Sequence, residues 1–236
     1  NGRNGIKMFD CTNIHIKDCI FDENNYSSLY LENVYHVFII NNTFYKGIYA
    51  RESGFLTISG NYFTNWGIEG EEIDNSKICH NEFFKGEYTA IRIYSHDTAI
   101  FCNQIKSFYT GIHVGGTTHI YHNNIISNEE GIWCGGVIHR WEGKMLIYEN
   151  NFSGNGIGIN LMDIPWGNIE ITKNNFIGNE LHAGFWDAYF VLWHENYWDD
   201  WKIPLPRPIF GRILWFIPWI QFDWHPSMQP YEWWKE

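Results

Sequence analysis

The sequence predicts an all-β protein: a right-handed, single-stranded parallel β-helix of about nine coils with a Trp- and Pro-rich C-terminal cap. Three observations predict it. The phrase Leu56-Thr57-Ile58-Ser59-Gly60-Asn61-Tyr62-Phe63, apolar residues alternating into a corner Asn and then an aromatic, recurs along the chain. Its key position runs 19 (a Cys), 42, 61, 81, 103, 123, 150, 174 and 196, at intervals of 23, 19, 20, 22, 20, 27, 24 and 22 residues. Between the short alternating runs lie Gly, Asn, Ser and Asp, which turn a chain sharply, and no amphipathic helical stretch. A leucine-rich repeat shares the period, but its Leu framework is missing.

Each coil opens on a strand often announced by Gly-Ile, with inward pairs Ile6/Met8, Leu29/Leu31, Ile48/Ala50, Ile68/Gly70, Ile91/Ile93, Ile112/Val114 and Ile132/Cys134, continuing as Ile157/Ile159 and Leu181/Ala183. Alternation sends the residue between each pair outward. That outward column reads Lys7, Tyr30, Tyr49, Glu69, Arg92, His113, Trp133, Gly158, His182. Its neighbour reads Phe9, Glu32, Arg51, Glu71, Tyr94, Gly115, Gly135, Asn160, Gly184. A middle run then leads to the corner, where Asn42, Asn61, Asn81, Asn103, Asn123, Asn150, Asn174 and Asn196 form an internal ladder. Each amide is expected to bond the Asn of the next coil, in a corner where Asn can take left-handed backbone geometry. Nine coils at a strand spacing of about 4.8 Å give a rod about 40 Å long. Loops vary most at Gly135–Gly143, and also at Glu71–Asn75 and Met162–Trp166. Insertions of this kind often edge a binding face.

The chemistry changes near Asp200: six of seven Pro lie beyond residue 200, and nine of thirteen Trp lie from 186 onward. This divides the chain into a β-helix over 1–200 and a capping segment over 201–236. The apolar run Ile209–Ile220 is broken by Arg and Pro and is too short to cross a bilayer. Its rival role is a docking patch for a protein partner or a membrane interface. At the other end, Asn1-Gly2-Arg3-Asn4-Gly5-Ile6 already lies inside a repeat, so further coils or a cap are expected before it.

The net charge of −11 argues against nucleic acid and anionic membrane surfaces as partners. Five Cys (11, 19, 79, 102, 134) show no zinc-type spacing; neither Cys11–Cys19 nor Cys79–Cys102 has support as a bridge. His113, His119 and His122, with His96 and Asp97 one coil before, lie on both sides of a turn. With four Met and no His-x-His run, they read as surface imidazoles, so no metal is expected. No cofactor is called for; calcium is the one cation that could bridge a uronate to the acidic residues.

The outward face carries the candidate chemistry. Glu69 and Glu71 sit two apart on one strand, with Cα atoms about 6.6 Å apart, at the lower end for an inverting glycosidase. Arg92 stacks beside Glu69 and Arg51 beside Glu71. An Arg beside a carboxylate keeps it ionised, which suits a base and spoils an acid; it equally describes a cross-strand ion-pair ladder. Glu69, Glu71 and Arg92 are the candidate catalytic groups. Tyr49, Arg51, Glu69, Glu71, Arg92, Tyr94, His113 and Trp133 are the candidate substrate-binding set. No carboxyl stands alone in an apolar setting to serve as an acid, so binding is expected ahead of catalysis.

The repeated Ile-x-x-Asn-x-Phe with Gly-Ile openings resembles the NosD-like right-handed β-helix family, also called the carbohydrate-binding and sugar-hydrolase β-helix group. The closing Asn196-Tyr197-Trp198-Asp199-Asp200-Trp201, and Phe222-Asp223-Trp224-His225-Pro226 with Pro230-Tyr231, are similar to the ends of many archaeal and bacterial members. The resemblance covers nearly the whole chain, and the matching residues are structural. It implies an exported protein, periplasmic, extracellular or at the cell surface. The family's namesake serves copper-enzyme maturation, and other β-helices bind, cleave or epimerise polysaccharides. Three classes of function follow. The first is a module binding extended carbohydrate, stacking sugars on Tyr30, Tyr49, Tyr94 and Trp133. The second is a hydrolase, lyase or epimerase centred on Glu69, Glu71 and Arg92. The third is a structural or assembly protein engaging a partner by its rod or Trp-rich end. The acidic balance favours a neutral or cationic sugar.

Overall fold

The computed structural model describes residues 4–22, 24–135, 143–164 and 168–233. Most of the long insertion (136–142) and residues 165–167 lie outside them. Among the described residues there is no α-helix. The strands stack in parallel into a β-solenoid of about nine turns. Opening and middle strands form one large sheet, and the short strands after the corner form a second of nine strands. Opening strands pair rung by rung, as in Ile48–Gly54 with Ile68–Asp74. In two coils the opening and middle strands run together, as Thr89–Phe101 and Thr110–Tyr121.

The corner is built by two adjacent residues. Each ladder Asn is buried, and its amide donates to the next coil: Asn42 Nδ2 to Asn61 Oδ1 at 3.0 Å, Asn81 to Asn103 at 3.1 Å, Asn103 to Asn123 at 2.9 Å, Asn174 to Asn196 at 3.0 Å. The same oxygens accept the neighbouring backbone N–H, as Asn103 N to Asn123 Oδ1 at 3.0 Å. At Cys19, the degenerate copy, only the backbone N–H joins the ladder, donating to Asn42 at 3.0 Å. The left-handed backbone belongs to the residue before each Asn: Asn41, Gly60, His80, Cys102, His122, Glu149, Lys173 and Glu195 all have φ between 53° and 66°. The expectation that the ladder Asn itself bends this way is corrected. It keeps ordinary geometry and spends its amide on the rung.

Gly-Ile openings have a steric cause. A Cβ on Gly67 would sit 1.7 Å from Ala90 O, and one on Gly47 2.0 Å from Gly67 O. Coils pass too closely there for a side chain. Behind the corner, Phe21, Phe44, Phe63 and Phe83 stack face to face with centroids 4.6–4.9 Å apart, and Phe152, Phe176 and Trp198 repeat the column. Each fully buried ring contributes on the order of 2–3 kcal/mol.

In the last coils the register differs from expectation. Ile132 pairs with Ile159 and Cys134 with Leu161, then Ile159 with Ala183 and Leu161 with Phe185. The eighth coil contains two Gly-Ile steps, Gly156-Ile157 and Gly158-Ile159, and the second sets the register. The outward columns therefore end in Asn160 and Gly184, and in Met162 and Trp186. Gly158 and His182 are buried, with His182 at the inward position that Gly131 and Gly158 occupy in earlier coils.

After Trp198 the strands Arg207–Ile213 and Ile217–Asp223 form an antiparallel hairpin. The hairpin joins the last coil through Phe185 with Gly211 and Trp193 with Asp223. The buried Asp223 carboxylate completes the ladder, accepting Asn196 N at 3.0 Å, Asn196 Nδ2 at 3.1 Å and Trp198 Nε1 at 3.0 Å. All five cysteines are free. No helix among the described residues is long and apolar enough to cross a membrane.

Candidate functional site

Parallel stacking puts the predicted residues on one face in two columns. Tyr49, Glu69, Arg92, His113 and Trp133 follow one another rung by rung, beside Arg51, Glu71 and Tyr94. Polar tips are tied to neighbours. Arg92 donates to Glu69 Oε1 at 3.1 Å, Tyr49 Oη to Glu71 Oε2 at 3.3 Å, and Tyr30 Oη to Glu32 Oε2 at 2.8 Å. Arg51 pairs with Glu32, not with Glu71 as stacking alone suggested. The Tyr30 hydroxyl is raised by its bond to Glu32, and that of Tyr49 by burial and then the Glu71 charge.

Farther along, aromatic rings lie down on the wall. A Cβ on Gly115 would come within 2.8 Å of Tyr94 Cδ1, and one on Gly135 within 2.4 Å of Trp133 Cη2. Glycine at these outward positions lets the rings of Tyr94 and Trp133 cover the strand backbone. His113 stands between them, its ring edge-on to Trp133 at 4.1 Å and its Nε2 2.6 Å from Tyr94 Oη. Burial, and then the Arg92 charge, depress the His113 pKa to about 4. The ring is neutral near pH 7, so Nε2 can accept a hydrogen bond from the Tyr94 hydroxyl.

The face is a groove at one end and a wall at the other. A groove of about 790 Å³ runs beside the first coils, lined by Lys7, Tyr26, Tyr30, Lys46, Tyr49, Trp66, Glu69, Tyr88 and Arg92 among others. Of the predicted set it takes in Tyr49, Glu69 and Arg92; Arg51, Glu71, Tyr94, His113 and Trp133 do not line it. Sequence reasoning missed Lys46, Trp66 and Tyr88, which also line the groove. They precede the opening strands of successive coils, and Trp66 meets Tyr88 edge-on at 5.5 Å. The signal available was a bulky residue just before each opening, as in Lys46-Gly47-Ile48 and Trp66-Gly67-Ile68.

The three histidines considered as ligands do not converge. His113 is on the wall, and His122 pairs with Glu149 at 2.8 Å. Among the described residues the cluster of metal-type side chains is instead His182, Asp199 and Asp200, which the sequence reading missed. Nε2 of the buried His182 lies 2.8 Å from Asp199 Oδ1 and 3.5 Å from Asp200 Oδ1, and its Nδ1 is 3.2 Å from Asn179 Nδ2. Arg207 holds Asp200 with two N–H donors, at 2.9 and 3.2 Å. Burial pushes the Asp200 carboxyl up, and Arg207 outweighs it, holding the carboxyl below its usual range.

The family described as "Periplasmic copper-binding protein (NosD)" matches residues 1–145. No curated protein matches. Among solved structures the chain is similar to the periplasmic alginate epimerase AlgG, at 17% identity and a TM-score of 0.58, over 82% of this chain and 46% of the epimerase. A double mutant of AlgG aligns at 16% identity and a TM-score of 0.42, over 76% of this chain and 38% of that one. The chain thus spans under half of the epimerase's length, and the likeness is one of fold. Copper in the family description prompts a test of the donors. The cluster offers one imidazole, two carboxylates and no sulfur, with a guanidinium already seated on Asp200, so it lacks the soft donors that hold Cu(I). The cluster also lies outside the matched residues. With 145 of its 236 residues matched, the chain belongs to the periplasmic NosD family of β-helix proteins.

Proposed function

We propose that the protein binds an extended carbohydrate along the rod, seated in the groove of the first coils and running onto the Tyr94–Trp133 wall. The observation that carries this reading is the groove itself: about 790 Å³, lined by Tyr30 and Tyr49 from the outward column and by Trp66 and Tyr88 from the segments before the openings. Sites that hold small molecules are concave and largely apolar or aromatic, with a few placed polar groups, and commonly measure about 300–1,000 Å³. Tyr30 and Tyr49 stack with centroids 5.4 Å apart, presenting a rigid, amphipathic surface. Glu69 and Arg92 satisfy one another and can still bond sugar hydroxyls. That mutual pairing, and the tie of Glu71 to Tyr49, support binding over hydrolysis, lyase or epimerase chemistry. The reading invokes no cofactor, calcium included.

Calorimetric titration of an oligosaccharide panel against wild type, Trp66→Ala and Trp133→Ala tests it. Wild type is expected to bind at least one oligosaccharide. Trp66→Ala should lose about tenfold or more, as a central aromatic anchor does, and Trp133→Ala less. Absence of binding, or equal binding by wild type and Trp66→Ala, would refute the groove.

A second reading rests on the hairpin, where Phe210, Trp215, Phe216 and Trp219 are exposed. Residues 201–236 act there as the cap of the β-helix, and their exposed aromatics offer a protein partner a docking surface. This is the assembly role, and it does not compete with the groove for residues.

A further inference from the structure

The sequence-wide charge favours a neutral or cationic sugar, but the groove has the opposite sign. Its lining carries three cations, Lys7, Lys46 and Arg92, and one described carboxylate, Glu69, which Arg92 already neutralises. The described lining residues sum to +2 on a chain of −11. Each lysine lies over an aromatic ring, Lys7 Nζ 5.4 Å from the Tyr30 centroid and Lys46 Nζ 5.5 Å from that of Trp66. In both cases the cation and the ring come from neighbouring coils, so the same device occurs twice in the lining. Local sign decides recognition here. At physiological ionic strength charges beyond about 8 Å are largely screened, whereas a cleft concentrates the field of the groups that line it.

We propose that the groove selects an anionic carbohydrate, one carrying carboxylate or sulfate groups. This rests on the carbohydrate reading of the same groove and names its substrate class. The C–H face of a sugar ring would lie against Trp66 or Tyr30, and an acidic substituent at the ring edge would meet Lys46 or Lys7. An uncharged sugar would bring no counter-charge to either ammonium group. A cationic one would face a positive lining.

The test uses matched pairs: oligouronides with their carboxyl-reduced forms, and a sulfated oligosaccharide with its desulfated form. Each is titrated against wild type, Lys7→Gln, Lys46→Gln and the double variant. Lys106→Gln serves as a control for net charge, since Lys106 is exposed and outside the groove lining. Wild type should bind at least one acidic member about tenfold or more tighter than its neutral partner. Each groove lysine should account for up to about fivefold of that preference, as exposed charge pairs do. The double variant should abolish most of the gap, Lys106→Gln should keep it, and 0.5 M salt should narrow it. Whether the preferred anion is uronate or sulfate is read from which pair separates. Equal or tighter binding of the neutral members overturns the proposal while leaving the carbohydrate reading standing. A gap that survives in the double variant also overturns it. Binding of no member overturns both.

Discussion

At the corner, two adjacent residues take separate roles: the one before the ladder Asn bends left-handed, and the Asn bonds up and down the stack. Asn103 donates to Ile78 O at 2.9 Å, to Phe101 O at 3.0 Å and to Asn123 Oδ1, while its own oxygen accepts from Asn81. Leu fits the volume but supplies none of these bonds. Asn103→Leu is therefore expected to cost about 1–3 kcal/mol or more, because neighbouring buried groups lose their partners. Urea unfolding of the variant checks this; an unchanged midpoint would contradict the ladder's role. His113 gives a second prediction at this scale. Its folded pKa, about 4, lies below the unfolded value near 6.5, so the unfolded chain binds the extra proton first. Stability held above pH 6.5 should fall as the pH drops toward 4 and level off below it. An NMR titration of the His113 ring should show a midpoint near 4 and not near 6.5.

A single coil cannot bury its own apolar face, so the elements gain stability by stacking, and the stack needs an end. Asp223 supplies the last acceptor of the ladder from the antiparallel hairpin. Asp223→Leu would leave the Asn196 and Trp198 donors unpaired beside a buried side chain. We expect a loss of roughly 3 kcal/mol or more and early proteolytic cleavage within residues 201–236, whereas Asp223→Asn, which keeps an acceptor oxygen, should be mild. Equal protease resistance of wild type and Asp223→Leu would contradict this. The coils were legible in sequence because each repeats the same chemical demand: a Gly where backbones touch, an Asn at the corner, an aromatic behind it. The register of the last coils was not, because Gly156-Ile157-Gly158-Ile159 offers two equivalent openings. A second internal ladder, Asn128 to Asn155 at 3.1 Å and Asn155 to Asn179 at 2.9 Å, also escaped reading. It has three rungs, too few to stand out from an Asn-rich sequence.

On the scale of the whole molecule, parallel stacking converts an irregular list of outward residues into a continuous surface along the rod. Period-two alternation identified Tyr49, Glu69, Arg92, His113 and Trp133 as one column, since strand geometry alone fixes which way they point. It could not find the other lining residues of the groove. Lys46, Trp66 and Tyr88 sit in turns, where alternation lapses and direction depends on the three-dimensional path. Net charge does not describe the groove for a related reason: −11 is a property of the entire surface, whereas the described groove lining gathers three cations into one place. The measurement that tests the central claim most directly is covalent footprinting of the protein with and without a bound oligosaccharide. Protection is predicted at Lys46, Trp66, Tyr88 and Arg92, extending weakly to Trp133, with Trp215 and Trp219 unchanged. Protection confined to the hairpin, with the groove residues labelled as in the free protein, would contradict the account.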